Sequence, residues 1–261
     1  MTDNNLALFC DFENVALGVR DEKFPKFDIA LVLERLLVKG NVVVKKAYCD
    51  WDRYKDFKPA MHDAAFELIE IPHTRQSGKN SADIRMVVDA LDLCYTKDHI
   101  DTFVIMSGDS DFSPLVSKLR ENAKLVIGVG VRSSTSDLLM SNCDEFIFYN
   151  DLVTEQNTQK KRRSRAKKKS TPKAKTPADA HEDGIQHVLD TAEALIAERG
   201  DRVFGSMVKQ TLKRRRPEFN ETAFGFSSFN ELLETAHARG YLDIDADERS
   251  GGYVVRSVRR D

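Results

Sequence analysis

The chain has 261 residues, 41% of them hydrophobic and 15 of them Phe, which supplies one large core or two modest ones and excludes a chain disordered throughout. The net charge of −2 hides an uneven distribution: residues 1–150 carry 18 Lys and Arg against 24 Asp and Glu, residues 151–182 carry 10 against 4, and the remainder 12 against 14. No apolar run is long enough to span a bilayer, Met1-Thr2-Asp3-Asn4-Asn5 is too polar for a signal peptide, and Cys10, Cys49, Cys94 and Cys143 form no C-x-x-C pair, so a reducing cytoplasm is the expected location.

In chain order, short apolar runs at residues 6–10, 42–47, 66–71, 103–106, 125–129 and 146–148 read as strands. Helical patterns lie between them. Asp28 is placed to cap a helix over 29–38, Ser81 one over 82–94, and Ser113-Pro114 opens a third over 115–121, with Pro where its missing N–H costs nothing. In the second of these, Ile84, Val87, Val88 and Leu91 are expected to face the core. The alternation predicts an α/β fold with a mainly parallel sheet flanked by helices on both faces.

Across residues 153–182 the apolar pattern stops and ten Lys and Arg mix with Ser, Thr, Ala and Pro, which reads as a basic disordered linker. It serves either as a sequence-blind tether for a polyanion or as a soluble spacer, and the ten cations favour the tether. From 183 to 258 periodicity returns. Ile185, Val188, Leu189, Ala192 and Leu195 share one helical face, further helices are expected over 207–213 and 229–238, and residues 241–244 and 253–255 can pair as a hairpin. Helices followed by a β-wing describe a small α+β winged-helix domain. Lys213, Arg214, Arg215 and Arg216 close one of its helices, either as a grip for phosphates or as a solvated face.

Three segments gather carboxylates. The first strand runs into Asp11-Phe12-Glu13-Asn14, the fourth into Ser107-Gly108-Asp109-Ser110-Asp111, and Asp83 falls in the first turn of the 82–94 helix. Ligands of an open α/β sheet collect at the carboxyl ends of the strands. Taken singly, Asp11, Asp109 and Asp111 also read as caps or turn residues and Asp83 as a first-turn acid favoured by the helix dipole. Taken together, four carboxylates on one edge repel unless a cation or protons intervene. The donors are all oxygen, which suits Mg²⁺ or Mn²⁺ rather than zinc. Asp89 and Asp92 turn away from Asp83 and are assigned to solvent or salt bridges, and the six histidines show no ligand spacing.

The segments Phe9-Cys10-Asp11-Phe12-Glu13-Asn14, Ala47-Tyr48-Cys49-Asp50-Trp51, Gly78-Lys79-Asn80-Ser81-Ala82-Asp83 and Ser107-Gly108-Asp109-Ser110-Asp111-Phe112-Ser113-Pro114-Leu115 resemble, in order, the NYN domain of the PIN-like nuclease superfamily in its bacterial LabA-like branch. Cys49 departs from the Gly common there. The resemblance implies an NYN nuclease domain over 1–152 that cleaves RNA. Asp11, Asp83, Asp109 and Asp111 would hold Mg²⁺ or Mn²⁺, with Asn14 orienting a ligand or the scissile phosphate. Lys79, Ser107 and Ser110 are candidates for phosphate contact, although Lys79 also reads as a solvated loop lysine and the two serines as loop-shaping groups. Residues 183–258 resemble a LOTUS (OST-HTH) winged-helix domain through Arg202-Val203-Phe204-Gly205-Ser206, Pro217-Glu218-Phe219-Asn220, Phe226-Ser227-Ser228-Phe229 and Gly251-Gly252-Tyr253-Val254-Val255. That resemblance implies RNA or a protein as its partner, captured with help from Lys213, Arg214 and Arg215.

The functional expectation is thus a metal-dependent endoribonuclease with a separate RNA-capturing module, acting as a monomer or homodimer. The alternative from another class is a catalytically silent RNA-binding scaffold, which the full acidic set argues against. A phosphotransferase of the haloacid dehalogenase type is disfavoured, because Asp11 is followed by Phe12 and Glu13 and not by a second Asp two positions on. DNA as substrate stays open from the residues alone, since metal and phosphate contacts carry no 2′-hydroxyl information.

Overall fold

The computed structural model describes residues 4–71, 81–167, 177–200, 203–216, 219–247 and 252–259. Six of the apolar runs become strands: β1 (Asn5–Asp11), β2 (Asn41–Cys49), β3 (Glu67–Glu70), β4 (Thr102–Met106), β5 (Leu125–Gly130) and β6 (Glu145–Phe148). Every pairing among them is parallel, in the order β3-β2-β1-β4-β5-β6. The helices in chain order are α1 (Phe12–Asp21), α2 (Ile29–Lys39), α3 (Lys58–Asp63), α4 (Ser81–Thr96), α5 (Ser113–Glu121), α6 (Asp137–Asn142) and α7 (Tyr149–Lys167).

Side chains of a strand alternate between faces, so this sheet has two cores. Leu6, Leu8 and Cys10 of β1, with Val104 and Met106 of β4, enter one core beneath α1, α2 and α3. Ala7 and Phe9, with Phe103 and Ile105, enter the other beneath α4, α5 and α6. In the first core Phe12 packs on Trp51, Phe57, Tyr54 and Phe27 at ring-centroid distances of 4.9, 5.1, 5.5 and 5.8 Å. The fully buried rings among these, Phe12, Trp51 and Phe27, contribute about 1.5–3 kcal/mol each, and Phe12 also anchors the first turn after Asp11.

Local signals behave as their chemistry dictates. Asp28 Oδ1 accepts the Ala30 N–H at 3.0 Å to start α2, and Pro114 sits in the first turn of α5. Asp89 is salt-bridged, to Arg85 at 3.0 Å and Lys46 at 3.4 Å, and accepts the Tyr48 hydroxyl at 2.9 Å. Two expectations need correction. On α4 the buried stripe is Met86, Ala90 and Cys94; Val87 and Leu91 pack against the core as expected, partly buried, but Ile84 and Val88 are 63% and 55% exposed. Apolar residues occur all round this helix, so its periodicity does not single out a face. The stretch 153–182, expected to be irregular, instead continues α7 to Lys167 and re-enters helix at Pro177, with 168–176 outside the described residues. Its straight-chain Gln, Lys and Arg have high helix propensity and need no apolar stripe to form helix.

The chain divides into two units, Met1–Ser164 and Arg165–Asp261. The second comprises α8 (Pro177–Arg199), β7 (Val203–Phe204), α9 (Gly205–Arg215), α10 (Phe229–Ala238), β8 (Leu242–Asp247) and β9 (Gly252–Val258), its strands antiparallel in the order β7-β9-β8. Ile185, Val188, Leu189, Ala192 and Leu195 of α8 are buried, as are Leu212, Leu232, Leu233 and Val255. Ser228 caps α10 through its Oγ to the Glu231 N–H at 3.1 Å, and Gly240, at φ +78°, turns the chain away from it. Among the described residues this unit is thus three α-helices, a short 3-10 turn and a small antiparallel sheet of three strands.

Candidate active site at the carboxyl ends of the central strands

The strand order reverses between β1 and β4: from β1 the sheet grows through β2 and β3, from β4 through β5 and β6. Connections leaving these neighbours in opposite directions open a crevice at their carboxyl ends. Asp11 is the last residue of β1, and Ser107-Gly108-Asp109-Ser110-Asp111 follows β4, whose Met106 pairs in register with Cys10. Asp83, in the first turn of α4, comes to the same place from the second face of the sheet.

A set of short hydrogen bonds ties the loops together. The buried Ser107 Oγ donates to Asp11 Oδ2 at 2.8 Å and accepts the Asp109 N–H at 3.2 Å. Asn14 Oδ1 accepts the Gly108 N–H at 2.9 Å, and Asp109 Oδ1 caps the following 3-10 turn through the Asp111 N–H at 3.0 Å. Gly108 is also held from outside, its carbonyl accepting the Ser136 N–H at 2.8 Å. A Cβ at Gly108 would lie 2.0 Å from the Ser134 carbonyl oxygen, so only glycine fits this close approach.

The carboxylates of the three segments act on one another's charge. The Asp11 carboxyl is pushed up from 3.8 to about 7, chiefly by burial; hydrogen bonds from Ser107 and Asn14 oppose the rise, and the charges of Asp83 and Asp109 add to it. Asp83 is raised by its own burial and then by Asp109, Asp111 and Glu13. Among the described residues, no three His, Cys, Asp or Glu side chains stand close enough to hold an ion directly. Mg²⁺ is usually held by one or two carboxylates and completes its octahedron with water and phosphate oxygens, so this oxygen-rich, anion-crowded donor set fits such an ion.

The structure brings Asp11, Asn14, Asp83, Asp109, Asp111, Ser107 and Ser110 to one edge. Of the two readings offered for Ser107, its geometry matches the loop-shaping one: the residue is fully buried and its Oγ is engaged with Asp11 and Asp109. Asn14 spends its carbonyl oxygen on the Gly108 loop. Lys79 lies outside the described residues. Lys213, Arg214 and Arg215 lie in the last turn of α9 in the second unit, where Arg214 Nη2 donates to Thr211 Oγ1 at 3.0 Å. Two features have no counterpart in the sequence reading. Glu13 adds its charge to Asp83 while paired with Arg53 at 2.9 Å. Beside Asp83 and Asp111 opens a cavity of about 710 Å³ walled by Ile84, Val88, Pro114 and the 57% exposed Leu138.

Comparison with known proteins agrees with this geometry. The model of the NYN domain matches residues 5–151, more than half of the chain and all six parallel strands. The chain belongs to the NYN domain family. NYN domains are members of the PIN-like nuclease superfamily, which makes this a nuclease-like domain. An uncharacterized protein of Methanocaldococcus jannaschii is 26% identical over 145 residues, 56% of this chain, and the chain spans only 55% of that relative. A crystal structure of a protein of unknown function from Vibrio parahaemolyticus RIMD 2210633 is similar to the NYN domain, with a TM-score of 0.51 and 25% identity over 57% of this chain and 95% of that one. No helix among the described residues is long and apolar enough to cross a membrane.

Proposed function

We propose that the NYN domain is a metal-dependent endoribonuclease whose site is made by Asp11, Asp83, Asp109 and Asp111. The observation that carries this reading is Asp11: its carboxyl is buried at a strand end and pushed up to about 7, chiefly by burial, with the charges of Asp83 and Asp109 adding to the rise, a cost a divalent cation would relieve. Mg²⁺ or Mn²⁺, when bound, would supply a low-pKa water and a charge to stabilise the phosphate. One or two of Asp11, Asp83, Asp109 and Asp111 would hold it directly and the others through its bound waters. Ser107 keeps Asp11 and the Asp109 backbone in register, and Asn14 fixes the Gly108 loop against α1.

The second unit, read as a LOTUS (OST-HTH) module, would capture RNA through Lys213, Arg214 and Arg215, with the basic segment before it as a tether. Four thiols without disulfides suit a reducing cytoplasm. The test is incubation of end-labelled RNA and DNA of one sequence with the full chain in Mn²⁺, in Mg²⁺ and in EDTA. Cleavage of RNA in either metal, none in EDTA and little of DNA is the expected result. RNA binding without cleavage in any condition would replace this reading with the silent scaffold.

A further inference from the structure

The cavity beside the acidic cluster explains the exposed apolar face of α4, and it has two properties that point to an occupant. It is continuous with the cluster, because Asp83 and Asp111 line both. Its remaining walls are aliphatic, from Ile84, Val87, Val88, Pro114 and Leu138, with Ser110, Ser113 and Ser117 and, among the described residues, no cation. Such a lining repels phosphate and suits a flat, apolar group with polar edges. Ser110 and Ser117, which are less buried than Ser113, leave hydroxyls at this wall for the polar edge of an occupant.

We propose that this groove is the subsite for one unpaired nucleobase next to the scissile phosphate of RNA, an inference that rests on the nuclease reading above. A phosphate held at the carboxylates has its nucleoside within a few ångströms, and the groove begins there. A base lying between Ile84, Val88 and Leu138 is out of any helix, so the site selects single-stranded or locally opened RNA over continuous duplex. A second copy of the chain fits this face poorly, because a two-fold contact would bring Asp83 and Asp111 of both copies together.

The test uses the full chain in Ca²⁺, which allows binding to be read apart from turnover. Affinities are measured by fluorescence anisotropy for an oligoribonucleotide and for an abasic ribose-phosphate chain of equal length, with wild type and with the exposed-site double variant Ile84→Asn, Val88→Asn. The expected result is a loss of roughly tenfold in affinity for the oligoribonucleotide by the variant, and none for the abasic chain. Equal losses on both chains, or no loss on either, would overturn the proposal. So would a wild-type dimer that the variant converts to monomer with unchanged RNA affinity, which would assign the face to a second copy. Because binding is the readout, absence of cleavage would sink the nuclease reading and still leave the base subsite decided.

Discussion

Asp11 ends β1 only 8% exposed, and its carboxyl titrates near 7 in the fold, raised to about 7 from 3.8 in an ordinary setting. Between those values the native state keeps a proton that the unfolded chain has lost, so this contribution to stability is complete below about pH 4 and disappears as the pH rises through 7. In EDTA the urea midpoint is therefore expected to be lower at pH 7.5 than at pH 5.5, with Asp11→Asn flattening the difference and Mn²⁺ restoring the midpoint at pH 7.5. A midpoint that rises across this window in wild type would contradict the burial argument. Ser107→Ala removes a donor to Asp11 and an acceptor for the Asp109 N–H from a fully buried position. A cost of about 1–3 kcal/mol in urea denaturation is expected, together with a shift of metal binding to higher pH.

At the scale of elements, the site depends on how closely two loops approach. Gly108→Ala would force the loop after β4 away from Ser134, with a loss of roughly 1–3 kcal/mol and a larger loss of activity, because Asp109 and Asp111 move with it. Asp28→Ala, which removes only the cap of α2, is expected to cost about 1 kcal/mol in thermal denaturation with activity unchanged. The same contrast separates what is legible in the sequence from what is not. β1, β4 and β5 are buried on both faces and read as unbroken apolar runs, while β2, β3 and β6 are only partly buried and show as shorter apolar stretches; Asp11 is visible as the end of β1, and Asp109 and Asp111 as the loop after β4. Ser107 is readable only as a loop serine, since its partners are a carboxylate 96 positions away and a backbone N–H of its own loop. The apolar groove is hidden because Ile84 and Val88 look like core until Met86 and Ala90 are seen to take that place. The helix α7 carries no apolar stripe to mark it beyond its first turns, and propensity alone extends it.

For the whole molecule, the acidic cluster lies in the first unit and Lys213 and Arg215 lie in the second. If the second unit captures RNA through phosphates, Lys213→Gln with Arg215→Gln should weaken binding of a long RNA and flatten its salt dependence by about 0.7 in the log–log slope for each phosphate no longer neutralised. Cleavage of an oligonucleotide too short to reach both units should be unchanged. An unaltered slope would assign that surface another role. The central claim, that the carboxylates of β1, α4 and the loop after β4 work as one metal-dependent site, is tested most directly by single-turnover cleavage of a labelled RNA. Wild type would be compared with Asp109→Asn and Asp83→Asn in Mn²⁺ and after its removal with EDTA. Cleavage by wild type is expected to be lost in EDTA, restored by added Mn²⁺, and reduced at least about a hundredfold by either substitution with the urea midpoint preserved. Cleavage that persists in EDTA, or is equal in Asp109→Asn and wild type, would contradict that claim.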